Sequence, residues 1–279
     1  SVNQSLILIH SLGQFPNTEP ISTTIIKVNI KFVKSSFLKK RFAGLSTLRS
    51  FLTKNPTLKN WACSILFQEK VLEAVLKDFH HELVNDFVAI LKEMIFQHNN
   101  EVDNLKKFWE ISLNQHSSTI DTFFRGWMDL TRSLSDSYKD VLFDLICNTQ
   151  HFPESCLEFI KSIVYLANND QRIKVFTSLE QFYLNNSDQQ YEDLLIQTIC
   201  SYLPYNDSFR QTVLEKTLKM IENGDHLQLA LNLMMASSSR INSEQANKLI
   251  DLTISHLTKD HTLQFLGLIQ RIAYQLTDP

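Results

Sequence analysis

Glycine and proline are scarce, at five and six among 279 residues. Sheets and tight-turn folds need more punctuation than that, whereas long helices joined by short loops need little. No apolar run approaches the ~18–20 residues of a membrane span. The apolar patch Leu6-Ile7-Leu8-Ile9 has no basic residue before it, which argues against a signal peptide. The four cysteines (63, 147, 156 and 200) form no CxxC or other tight pair, and each stands in an apolar stretch. They read as buried free thiols and point to a cytoplasmic compartment, the nucleus being the other reducing choice.

Signatures of catalysis are also missing. The glycines at 13, 44, 126, 224 and 267 are too far apart for a P-loop or a dinucleotide fingerprint, and no HExxH occurs. His80-His81-Glu82 is suggestive, but neighbouring side chains on a helix diverge by about 100° and do not share a metal unaided. His256 and His261 straddle a break at Thr258-Lys259-Asp260 and read no better. The expectation is a chain with no catalytic residue, no metal and no cofactor. A stand-alone helical enzyme would need polar groups converging in a pocket.

One further absence shapes the surface. Between Glu19 and Glu69 there is no acidic residue, while nine basic ones occur: Lys27, Lys31, Lys34, Lys39, Lys40, Arg41, Arg49, Lys54 and Lys59. The other 18 basic residues stand with all 30 acidic ones, so a basic end joins an acidic body. Lys34, Lys39, Lys40 and Arg41 are the candidate partner-binding residues. A solvated helix face is the plain alternative. The partner would be a protein, whether substrate, adaptor or another domain of the same polypeptide. Nucleic acid is disfavoured by the pI near 6.3. Reversing the charges at 39, 40 and 41 is expected to leave the fold intact.

What the sequence does have is apolar residues, 43% of the chain, at helical spacing. Leu38, Phe42, Leu45, Leu48 and Leu52 line one face of a helix that Ser35-Ser36 caps and Asn55-Pro56 ends. Further helices are expected over 58–67, 71–79, 81–97, 102–113, 117–134, 138–147, 156–167, 171–184, 190–203, 207–222, 226–236, 243–257 and 260–276. Residues 21–33 are rich in β-branched side chains. They are read as helix because a lone strand would leave its backbone unpaired. Residues 1–20 read as a loop, and 21–279 as a helical repeat domain. Short loops pair the helices as antiparallel neighbours, and pairs recur every ~35–45 residues. The expected fold is all-α, an α-solenoid of antiparallel helix pairs resembling an armadillo or HEAT superhelix. A compact non-repeating bundle is the alternative. The 19 phenylalanines would fill the seams.

The chain begins without Met and reads as a piece of something longer. In 260–276 the apolar positions span about 220°, more than the roughly 100° that one-sided cover requires. Such a helix is expected to be covered by another, unless it sinks into a groove between its neighbours.

The run Ser35-Ser36-Phe37-Leu38-Lys39-Lys40-Arg41-Phe42-Ala43-Gly44-Leu45-Ser46-Thr47-Leu48 resembles a segment of the very large fat-facets-type ubiquitin-specific proteases. There an S-x-x-x-x-x-R-x-x-G/A-L helix opens part of the long helical region before the protease domain. The likeness continues at Trp61, Ile65 and Glu69-Lys70-Val71-Leu72, at His81-Glu82-Leu83-Val84 and Ile90-Leu91-Lys92, and at Leu105, Phe108-Trp109, Ser112 and Gln115-His116-Ser117. It covers residues 33–150 and fades afterwards. It implies a helical scaffold that recruits substrates or positions a separate papain-like domain. The Gly-Asn-Thr-Cys and Gly-His-Tyr boxes of that domain are absent, so no catalytic residue carries over. A HEAT or armadillo adaptor unrelated to ubiquitin is the alternative function.

Overall fold

Apolar residues at three- and four-residue spacing make a helix face that must be buried against another element. A computed structural model of the chain describes residues 19–98, 101–186, 191–204, 206–237 and scattered positions from 247 to 270, and among these no strand occurs. Most of the expected helices at 243–257 and 260–276, and nearly all of the expected loop at 1–20, lie outside the described residues; the positions described there, 247, 250, 251, 266, 267, 269 and 270, are helical.

Thirteen α-helices are described: α1 (Glu19–Val33), α2 (Leu38–Lys54), α3 (Lys59–Gln68), α4 (Val71–Leu76), α5 (Val84–His98), α6 (Val102–Leu113), α7 (Ser117–Thr131), α8 (Asp136–Cys147), α9 (Glu154–Ser162), α10 (Asn169–Asn185), α11 (Glu192–Ser201), α12 (Asp207–Asn223) and α13 (Leu227–Ser237). Residues 21–33 are helical, as expected, with Ile25, Ile26, Ile30 and Val33 buried. Side chains and turns set several helix ends. Asn168 and Gln171 form a reciprocal capping box on α10, and Asn206 caps α12. Gly224 ends α12 in the left-handed conformation at φ 75°, where a Cβ would be strained.

Two compact units are distinguishable, Ser1–Leu145 and Ile146–Pro279. In the first, α2, α5 and α7 pack in one row, while α1, α4 and α6 pack in a second. Contacts of α1 with α2 and of α6 with α7 join the rows. Two glycines set the closest approaches. A Cβ on Gly44 would stand 2.7 Å from the Asn29 carbonyl oxygen, and one on Gly126 would stand 2.7 Å from Cγ1 of Val84. Between the rows lies an aromatic core. Trp127 stacks on Phe108 at 4.9 Å and meets Trp109 edge-on at 5.3 Å, and its indole N–H donates to Ser112 Oγ.

The second unit repeats the plan on its own. Helices α9, α11 and α13 pack in sequence. Helices α10 and α12 meet through Phe176 against Phe209 and through Lys216 on the carboxylate of Glu180. The Tyr202 hydroxyl, on the residue that caps the C-terminus of α11, donates to the Ile160 carbonyl of α9.

Candidate interaction surface

The basic stretch falls on α1, α2 and the turn between them. Lys27, Lys31 and Lys34 stand at i, i+4 and i+7 of α1 and in the turn just after it, so they share one exposed stripe. Lys34 is spoken for: its Nζ lies 2.8 Å from Glu69. That hydrogen bond and charge, with Lys27 adding to the field, hold the Glu69 carboxyl below its ordinary range. Lys39 is exposed on α2. Lys40 is half-buried and sits over the ring of Phe37, 5.1 Å from its centroid. Phe37 is 65% exposed and Phe42 44%, so aromatic rings stand among the amines. Phe42 therefore does not join the core stripe; Phe51 is buried beside Leu48 and Leu52 on the same helix.

Arg41 behaves differently. Only 5% of it is exposed. Its Nη2 donates to the Val75 carbonyl at 2.9 Å, and its Nη1 donates to both the carbonyl and the carboxylate of Asp78. One guanidinium thus closes the C-terminal end of α4, where a helix leaves carbonyls unsatisfied. Of the four candidate residues, Lys39 and Lys40 face outward, Lys34 is shared with Glu69, and Arg41 is structural. Lys27 and Lys31, not among those four, are exposed on α1. Arg49 and Lys59 are also engaged, on Asp86 and Glu93.

A groove of about 340 Å³ opens beside α3, α4 and α6. Leu66, Leu72 and Met94 are among its apolar lining, and its charged lining is mixed: Lys70, Lys107, Glu73, Glu101 and Asp103. No Cys, His, Ser or Thr lines it.

His80 and His81 do come together. His80 is extended (φ −109°, ψ 142°) and precedes a 3-10 turn at His81–Leu83, so the helical divergence assumed from sequence does not apply. The rings lie 4.2 Å apart.

The thiols are withdrawn. Cys63 and Cys156 are buried, and Cys147 and Cys200 half-buried. Burial pushes the Cys63 and Cys200 thiols up to about 12, and raises that of Cys156 well above its ordinary value. The thiolate is the nucleophile, so a rise from 9 to about 12 cuts its population at pH 8 roughly a thousandfold. Iodoacetamide at pH 8 should therefore alkylate Cys63 and Cys200 roughly a thousandfold more slowly in the native protein than in urea. Peptide mass spectrometry of timed samples checks this; equal native and denatured rates would contradict it.

Among the described residues no helix is long and apolar enough to cross a membrane. No protein-family model, curated protein or solved structure matches this chain.

Proposed function

We propose that this chain is a non-catalytic helical-repeat scaffold, of the armadillo or HEAT type, that binds proteins through its basic α1–α2 face. The observation that carries the reading is a repeat written in side chains. Six bonds across the packing fall at near-constant separation: 35 residues for Lys34–Glu69, 37 for Arg41–Asp78, Arg49–Asp86 and Glu101–Tyr138, and 36 for Lys161–Gln197 and Glu180–Lys216, whereas Trp127–Ser112 and Tyr202–Ile160 span 15 and 42. Periods of this order belong to stacked helix pairs, whose extended surfaces serve binding.

The resemblance to fat-facets-type ubiquitin-specific proteases implies that such a scaffold would belong to a large deubiquitinase. It fits the packing at two of the four specified positions of the shared run, Arg41 and Gly44. Arg41 reaches the end of the next helix pair, and Gly44 admits the close approach of α1. On this reading the shared pattern serves packing rather than chemistry, and the activity would belong to a separate domain that this scaffold positions or supplies with substrate.

Three results test the reading. The natural reading frame around this region should encode a Gly-Asn-Thr-Cys box and a Gly-His-Tyr box; a frame with neither removes ubiquitin from the account and leaves an adaptor. A ubiquitin-based reactive probe should form no adduct with the isolated chain, and an adduct on any cysteine would make the chain an enzyme. Lys39→Glu with Lys40→Glu should shift the unfolding free energy by no more than about 0.5 kcal/mol. The same pair should weaken binding to an acidic partner, most at low salt; unchanged binding would return these lysines to solvent-facing roles.

A further inference from the structure

We propose that His80, His81 and Glu82 form a binding site for one divalent transition-metal ion of the zinc class. One ligand atom from each of the three lies within 4.8 Å of the others. The backbone explains how neighbours in sequence achieve this. His80 is extended, and the 3-10 turn that follows begins at His81, so the two imidazoles lie 4.2 Å apart with their planes 32° from parallel. Leu83 is fully buried and anchors the turn. The histidines are half-buried and Glu82 exposed, so an ion has access from solvent.

Two imidazoles and one carboxylate select the ion. Imidazole nitrogen suits zinc, nickel and copper, whereas magnesium and calcium require oxygen donors. Zinc holds nitrogen at about 2.0–2.1 Å, so ligand atoms on one tetrahedral ion stand roughly 3.3 Å apart. Binding draws the three side chains inward by χ rotation, and water completes the coordination. One interaction opposes it. His80 Nδ1 accepts a hydrogen bond from the Glu82 backbone N–H at 3.3 Å. In a neutral imidazole that arrangement leaves the proton on Nε2, so the ion either takes the cap's place at Nδ1 or reverses the tautomer. At 3.3 Å the bond is long, and its loss costs little. The site is independent of the scaffold reading, since it needs neither the basic face nor a partner.

The test uses the full chain without an affinity tag, stripped of metal and titrated with zinc chloride by calorimetry. One equivalent should bind at this site, with affinity falling on acidification as protons compete for the imidazoles. His81→Gln should weaken this binding at least about tenfold, and His80→Asn with His81→Gln should abolish it. Zinc should also raise the unfolding temperature of the wild type, reversibly by chelator, and should not do so for the double variant. Because His80 caps the turn, Glu82→Gln provides a variant that spares the cap, and a severalfold loss is expected there. Magnesium should not compete. Zinc binding that is absent from the wild type, or unchanged in all three variants, overturns the proposal.

Discussion

Gly44→Ala is expected to lower the stability of the first unit by about 2 kcal/mol, and Gly44→Val by more. The new Cβ would meet the Asn29 carbonyl oxygen at 2.7 Å, Cβ of Phe32 at 2.8 Å and the Val33 nitrogen at 3.0 Å. Two of these atoms are backbone, so no rotamer change relieves them, and α1 must move away from α2. Overpacking of this kind costs about 1–3 kcal/mol or more, against which alanine returns up to about 1 kcal/mol of helix propensity. Gly126→Ala should cost less, because its nearest neighbours are the methyl carbons of Val84 and Val88, which yield before a backbone does. Urea titration followed by tryptophan fluorescence measures this cleanly, since Trp61, Trp109 and Trp127 all belong to the first unit. A midpoint for Gly44→Ala equal to or above that of the wild type would contradict the close approach.

Arg41→Met is expected to cost about 3 kcal/mol by the same measurement, since hydrogen bonds from a charged group contribute about 1.5–3 kcal/mol each. The carbonyls of Val75 and Asp78 would lose their donors. The Asp78 carboxylate adds little, because that side chain is 89% exposed and water screens it. Arg41→Lys should recover less than half of the loss, because one ammonium cannot span the carbonyls that the planar fork reaches. The expectation that the charges at 39, 40 and 41 reverse without harm is thus corrected at one position. Arg41→Glu sets a carboxylate against two carbonyl oxygens and should unfold this end of the first unit. Wild-type stability in Arg41→Met would remove the structural role.

The helices were legible because apolar spacing is a local property. Asn55-Pro56 and Asn223-Gly224-Asp225 end helices where the chain chemistry requires it. The direction of Arg41 was not legible, because it depends on Val75 and Asp78, more than 30 residues away. Phe42 fits the apolar stripe of α2, yet what covers a face depends on neighbouring helices, and none buries this ring. The approach of the two histidines was not legible for a local reason: the sequence does not reveal that His80 is extended just before a turn. The basic surface was half legible. Counting charges located it, but only the packing separates Lys39 from a residue such as Lys34, which is already committed to a carboxylate.

Zero-length carbodiimide coupling of the natural full-length polypeptide in its cellular complexes tests the docking claim most directly. The reagent joins amines to carboxylates already in contact, so Lys34–Glu69, Lys59–Glu93 and Lys92–Asp129 serve as internal standards at 2.8, 2.9 and 2.7 Å. Coupling of Lys27, Lys31, Lys39 or Lys40 to carboxylates of another domain or protein is the expected result. Recovery of the internal pairs with no external link from any of those four lysines would contradict it.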